Sequence, residues 1–477
     1  IMSVLAFALL FVAAMNYILN SVSSLPIRAR SVGVHKCNGA SSKDIFNMFL
    51  FETAALFVVA LVCMALLLFA FREYVADMVA VPTLGTLLNA QTILLPAIMI
   101  LAIFILSALL PARLFSVIPV TQVFRVSTSG KQGWKRSLLF IQFGGIAFVI
   151  TLLVIVLLQY DRLMNNDLGY DPENIVYAPL NNMDDQKAAK LTAEFKKLPY
   201  VTATGLSSMD ILSGYGGFPI LDNEKNWLFT ARQVNYDADY LSLMKIPLLE
   251  GQPLKGDGDI LVNESFVSKR GWTDAAIGKY IYDDEGNLKG KIVGVTRDFM
   301  VNSFFTPQLP VIMFGSDRMS YCNFTVRVSE LTPEYLREMN DKIAELFPNE
   351  DVGFTVLKTI IESQYEGTRH FRDGVFVASI AILLITLMGL LGYITDEMHR
   401  RSKEIAIRKV NGATAPNILR LLSKDVLITA FPAILLGVIA SRVVGESWLR
   451  QFADKIPLTV FIFISTALLV LAIIWDA

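Results

Sequence analysis

Few residues in this sequence sit in patterns that can carry chemistry. The three cysteines, Cys37, Cys63 and Cys322, form no CxxC pair, so neither a disulfide framework nor a thiolate metal site is expected. His370 is the one histidine in the long polar stretch 160–373, and no second histidine or cysteine lies near it to complete a metal site. Ser207 and Ser208 have no base beside them, and Asp210, Asp237, Asp239 and Glu264 read as turn, cap and surface residues. Gly214-Tyr215-Gly216-Gly217 is glycine-rich but lacks the GxGxxG or GxxxxGK spacing that cradles phosphates, so it reads as a loop. Glu52 and Asp425 fall near the ends of apolar runs and read as partners of nearby basic residues rather than as a proton relay. The chain is therefore expected to be no enzyme, to hold no cofactor or metal of its own and, at a net charge of −1, to bind no nucleic acid.

What remains is a duplicated segment. Arg28-Ala29-Arg30-Ser31-Val32-Gly33-Val34-His35-Lys36-Cys37-Asn38-Gly39-Ala40-Ser41 aligns without a gap to Arg401-Ser402-Lys403-Glu404-Ile405-Ala406-Ile407-Arg408-Lys409-Val410-Asn411-Gly412-Ala413-Thr414, at an offset of 373 residues, the separation of Arg28 from Arg401. Asn-Gly-Ala is identical, and basic and apolar positions mostly match. The copies differ where Gly33 stands opposite Ala406, His35 opposite Arg408 and Ser31 opposite Glu404. Apolar residues inside a basic segment predict a short amphipathic helix at a membrane surface. Asn-Gly ends it, because glycine tolerates the left-handed geometry of a helix C-cap. Four-residue spacing puts Ala406 with Val410, and Ile405 with Lys409, so the contact face is read as Ala406, Lys409 and Val410, with Glu404 and Arg408 paired on the helix. Such a segment either anchors in anionic headgroups or docks in a cytoplasmic partner and transmits force. Docking is the expected role, carried by Val32, Val34, Lys36, Cys37, Asn38 and Gly39 in one copy and by Glu404, Ala406, Arg408, Lys409, Val410, Asn411 and Gly412 in the other.

The elements that must hold these segments are membrane helices. Of the 477 residues 54% are hydrophobic and 18% charged, against about 25% charged in a soluble protein, and mean hydropathy is +0.50. Crossing the hydrocarbon core takes about 20 mostly apolar residues. About seven stretches meet or approach that length, near 1–20, 49–71, 92–112, 138–159, 374–394, 421–444 and 458–475. Lys and Arg cluster after the first, third and fifth, at Arg28, Arg30, Lys36 and Lys43, at Arg113, Arg125, Lys131, Lys135 and Arg136, and at Arg400, Arg401, Lys403, Arg408, Lys409 and Arg420. The alternate connections near 72–91 and 445–457 are poorer in them, so the basic connections face the cytoplasm. Residues 160–373 then lie outside.

That outer stretch reads as an α/β domain with ample length for its own core. Strands are expected at 174–178, 260–263, 290–295, 311–314 and 323–328, and helices at 185–197 and 332–346, the last opened by Thr332-Pro333. The tight Asp283-Asp284-Glu285-Gly286-Asn287 sequence reads as a turn. Two subdomains are expected, with an insertion from about 230 to 320.

Taken together, these residues resemble FtsX-like permease subunits of the MacB/LolC/LolE class of ABC transporters. The likeness rests first on 401–413 and its upstream copy. Pro111-Ala112-Arg113 with Pro119-Val120 and Arg125 resembles the family's ending of a span. Leu168-Gly169-Tyr170-Asp171-Pro172-Glu173-Asn174 resembles the start of its periplasmic core domain, continued by Tyr240, Met244, Pro247-Leu248-Leu249-Glu250-Gly251, Val262-Asn263-Glu264 and Ile292-Val293-Gly294-Val295. The resemblance implies a polytopic α-helical protein of the inner membrane with a large periplasmic α/β core domain. Its parts would be a first permease domain over 1–112, a cytoplasmic linker over 113–137, a stalk helix over 138–159, a periplasmic domain over 160–373 and a second permease domain over 374–477. It implies a tandem duplication with the first span, the first outer domain and the basic tail missing. ATP and Mg would be bound by a cytoplasmic ABC ATPase, two copies per complex, whose closure passes through coupling helices and stalk helices to outer domains acting on a lipoprotein, peptide or protein substrate. The alternative is a regulator or sensor that signals to a cell-wall hydrolase or a two-component kinase.

Overall fold

A computed structural model describes residues 2–23, 25–78, 89–116, 133–180, 185–212, 216–222, 224–272, 276–301, 305–315, 323–348 and 351–476. Pro119, Val120, Arg125, Lys131, Gly214, Tyr215 and Cys322 lie outside them. The chain divides into two units, one of 1–161, 367–450 and 456–477, the other of 162–366 with 451–455.

The first unit opens with α1 (Met2–Ser23), α2 (Leu25–Cys37), α3 (Ser42–Ala70), α4 (Arg72–Met78), α5 (Ala90–Ser116) and α6 (Gly133–Asn165). Ser41 starts α3 with a reciprocal cap: its Oγ accepts the Asp44 N–H at 3.2 Å while Asp44 Oδ2 accepts the Ser41 N–H at 2.8 Å. α5 packs on both α1 and α3, and Tyr17 and Thr53 hydroxyls meet at 3.0 Å between α1 and α3.

The second unit follows as β1 (Ile175–Pro179), α7 (Asp185–Phe195), β2 (Val201–Ser207), β3 (Gly216–Leu221), β4 (Trp227–Tyr236), α8 (Tyr240–Met244), β5 (Leu248–Gly251), β6 (Asp259–Asn263), α9 (Glu264–Arg270), β7 (Tyr280–Tyr282), β8 (Leu288–Thr296), β9 (Val311–Gly315), β10 (Asn323–Val328), α10 (Pro333–Leu346), β11 (Thr355–Val356) and α11 (Leu357–Gln364). The strands form one sheet in the order β11-β1-β10-β2-β4-β9-β6-β8-β5, with β3 on β4 and β7 on β8. The five strands and two helices expected here are present, and Thr332 caps α10 by accepting the Tyr335 N–H at 3.2 Å with Pro333 in the first turn.

Two cores divide this sheet. One gathers Val176, Leu191, Phe195, Phe324, Val326, Met339 and Ile343 between α7, α10 and the strands β1, β10 and β2. The other gathers Phe229, Ile260, Val262, Phe266, Ile292 and Ile312 around α9 and the strands β4, β6, β8 and β9. Between β4 and β5 the chain returns to the first core, where α8 packs on β2 and β10. The opening Gly169-Tyr170-Asp171 acts as a clasp. Gly169 has φ +76, and a Cβ there would stand 2.4 Å from Asp298 O. Asp171 takes Lys245 Nζ at 2.7 Å and Arg327 Nη1 at 3.1 Å.

β2 and β4 share a single register pair, Ser207 with Tyr236, and Asp237 extends that junction. Its N–H donates to Leu206 O at 3.1 Å and its Oδ2 accepts the Leu206 N–H at 2.8 Å. Burial first, and then the Asp239 charge, raise its carboxyl from 3.8 to about 6. A carboxyl whose pKa is raised by folding contributes most below its unfolded value and loses that contribution as pH climbs through the folded value. Stability should therefore fall by up to about 3 kcal/mol between about pH 4 and 6 on Asp237's account. Asp237→Asn keeps an acceptor for Leu206 but cannot ionise. Its melting temperature should match the parent's near pH 4 and exceed it above pH 6; parallel pH profiles would refute this role.

The first unit resumes with α12 (Glu366–Arg400), α13 (Ser402–Val410), α14 (Ala415–Leu449) and α15 (Val460–Asp476). α14 crosses α6 backbone to backbone: a Cβ at Gly437 would stand 2.2 Å from Gly144 O. α15 packs on α14 and meets α6 at the Thr151 and Thr466 hydroxyls, 3.2 Å apart.

Among the described residues four helices are long and apolar enough to cross a membrane, at 42–70, 136–165, 366–400 and 415–449. This corrects the expectation of about seven. The remaining apolar stretches among the described residues, Ala6–Ile18 within α1, Pro96–Leu109 within α5 and Val460–Trp475 within α15, offer only 10–17 residues each. At about 1.5 Å per residue even the longest falls short of a core about 30 Å thick.

Candidate coupling site

The two copies of the basic segment end in the same turn. α2 ends at Cys37 and α13 at Val410; the next helices begin at Ser42 and Ala415. Gly39 and Gly412 take φ +93 and +87, the left-handed position that only glycine adopts freely. The turn bonds recur at the same offset. Asn38 N donates to Val34 O as Asn411 N does to Ile407 O, both at 3.1 Å, and Ala40 N donates to His35 O at 3.0 Å as Ala413 N does to Arg408 O at 2.9 Å. Ser41 and Thr414 are the N-caps that start the following helices, both with extended backbone.

Side chains in the upstream copy divide between two tasks. Val32 is fully buried with Ile45, Phe49 and Ala112, and Lys36 Nζ donates to Ser116 O at 2.9 Å, so both serve the bundle. Val34, Cys37, Asn38 and Gly39 are exposed. In the downstream copy α13 has no buried residue. Glu404 and Ile405 are half-buried, whereas Ala406, Arg408, Lys409, Asn411 and Gly412 are exposed. Ile407 is 63% and Val410 88% exposed. Arg408 Nη2 pairs with Glu404 Oε1 at 2.8 Å, the expected i, i+4 pair.

A charge network ties this helix to its neighbours. Arg401, the residue before α13, binds both Glu397 of α12 and Asp425 of α14. Arg400 Nη2 reaches Glu397 Oε1 at 2.6 Å, and Arg136 Nη2 of α6 lies 3.4 Å from Asp425 Oδ2. The Glu397 side chain is only 5% exposed. Asp425 was expected to pair with basic residues and does. Glu397 was not singled out, although an acid four residues before an Arg on one helix face signals such a pair.

These features define a polytopic membrane protein whose downstream helix–turn–helix motif is wired by charge to three long helices. The family described as FtsX-like permease C-terminal matches residues 3–128 and 376–475, segments that contain both copies of the motif. Over these segments, a little under half of its length, the chain is similar to FtsX-like permeases. It is a multi-pass protein of the inner membrane with a large domain outside the bilayer. The periplasmic region of MacB from Actinobacillus actinomycetemcomitans is 13% identical, with 43% of this chain and 97% of that one covered at a TM-score of 0.32. A domain of a putative permease from Porphyromonas gingivalis is 15% identical over 40% and 98%, at 0.29. The extracellular domain of the noncanonic ABC-type transporter YknZ from Gram-positive bacteria is 10% identical over 38% and 99%, at 0.28. No curated protein matches.

Proposed function

We propose that this chain transmits ATP-driven motion from a separate ATPase subunit to its outer domain, which acts on an extracytoplasmic peptide, lipoprotein or protein, and that α13 and the end of α2 are the coupling helices of a duplicated permease unit. The observation that carries this is the apolar surface of α13. Ile407 and Val410 stand in the open on a nine-residue helix with no buried residue, flanked by Lys403, Arg408 and Lys409. Burying such side chains in a partner groove is favourable by roughly 1–3 kcal/mol each. ATP binding by the partner would favour one arrangement of the pair, and the coupling helices would pass that bias to α12 and α14. Isolation of the chain from its native membranes in mild detergent should bring down an ABC ATPase, and the chain freed of it should hydrolyse no ATP. Turnover by the chain alone, or its isolation without any ATPase, overturns the proposal.

A further inference from the structure

The offset of 373 that relates the coupling segments also relates the helices that precede them. Asn16 of α1 then corresponds to Gly389 of α12, and these two counterparts touch. A Cβ at Gly389 would stand 2.5 Å from Asn16 Oδ1 and 3.2 Å from Asn16 Cγ. A residue meets its own counterpart where a two-fold axis passes between two copies.

We infer that α1 and α12 face each other across a pseudo-two-fold axis through this pair, and that the unequal Asn16/Gly389 contact specifies the pairing of the two copies within one chain. The inference rests on the duplication proposed above. The surroundings fit a knob in a hole. Asn16 Nδ2 donates to Ile385 O at 2.9 Å, one turn before Gly389. Gln142 of α6 closes the same hollow, with Oε1 2.9 Å from where that Cβ would be. With Asn16 Oδ1 and Gln142 Oε1 both within 3 Å of that Cβ position, the hollow has no room for a side chain at 389. Gly145 of α6 lies between the helices, its added Cβ meeting Val12 Cγ2 at 3.0 Å and Ile382 Cδ1 at 3.5 Å. An asparagine on both sides would overlap, and a glycine on both would lose the bond to Ile385. Only the unequal pair fills the contact, which two identical chains meeting on an axis cannot supply.

Symmetry makes a second, unobserved contact the test. If Asn16 meets Ile385, then its mate pairs Val12 with Gly389, since 12 and 385 are also counterparts. With Cys37, Cys63 and Cys322 replaced by Ser in the full chain, the pairs Asn16→Cys with Ile385→Cys and, with Asn16→Gly to make room, Val12→Cys with Gly389→Cys should both cross-link with dibromobimane at comparable rates, in membranes, and at the mass of a single chain. Cross-linking of the first pair alone overturns the axis, and cross-linked dimers overturn pairing within one chain. A double-mutant cycle on melting temperature tests the lock. Gly389→Ala should lower it clearly in the parent and far less with Asn16→Gly in place; an equal drop in both backgrounds overturns the knob-in-hole. Because these readouts need no ATPase, their failure leaves the coupling proposal standing, and loss of ATPase capture leaves this one standing.

Discussion

Val410→Asp is expected to release the ATPase while leaving the chain folded. Val410 is 88% exposed and buries nothing within the chain, so the change removes no internal contact. In a partner groove it removes an apolar contact worth roughly 1–3 kcal/mol and leaves an unpaired carboxylate to be desolvated, which costs more. The sum corresponds to at least about a hundredfold in affinity, since each 1.4 kcal/mol is about tenfold. Val410→Ala should lose only part of this. Co-purification in detergent and ATPase stimulation read the effect, with the melting temperature as the control for folding. If Val410→Asp binds and stimulates like the parent, α13 is a headgroup anchor, because lipid contact alone makes no demand on the ATPase. The same change at Cys37 probes the upstream copy, where Val32 and Lys36 are already engaged by the bundle and Val34 and Cys37 remain exposed.

The repeated helix and turn at 28–41 and 401–414 were legible because their signals are local. Asn-Gly at a helix end, basic residues around apolar ones and a gapless internal repeat need no knowledge of what packs nearby. The helix α10 was legible for the same reason, through Thr332 and Pro333. The strands β2 and β4 were not. Thr204, Ser207, Arg232 and Asn235 are all buried, so inward positions carry polar residues and the apolar alternation that marks a half-buried strand disappears. Arg232 is held there by the carbonyls of Val301 and Asp210, partners 69 and 22 residues away. The span count failed in the opposite direction, because apolar composition was plain at 1–20, 92–112 and 458–475 while the apolar stretches there are shorter than a span among the described residues. Glu397 went unnoticed since its role depends on Asp425, which only the packing of α14 beside α12 brings to Arg401.

Arg401→Ala is expected to separate binding of the ATPase from response to it. Arg401 sits where α12 hands over to α13: its N–H donates to Glu397 O at 2.9 Å, and its carbonyl accepts the Ile405 N–H at 2.8 Å. Its guanidinium grips Glu397 and Asp425 together, and so ties the start of α13 to two long helices at once. Removing one partner of a buried ion pair costs about 3–5 kcal/mol when the other is left alone. Here Glu397 keeps Arg400 and Asp425 keeps Arg136, so the loss in stability should be smaller, about 1–3 kcal/mol. The exposed face of α13, with Ile407 and Val410, stays intact, so the ATPase should still co-purify. What is lost is the rigid link, and movement of α13 should then dissipate instead of reaching α12 and α14. Stimulation of the ATPase should fall about tenfold, the equivalent of about 1.4 kcal/mol of coupling. Arg401→Lys keeps one charge but not the planar fork that spans two carboxylates, so it should recover stability more fully than stimulation. Parental stimulation in Arg401→Ala would show that force bypasses this residue, and loss of the ATPase from the variant would show that Arg401 belongs to the docking surface itself.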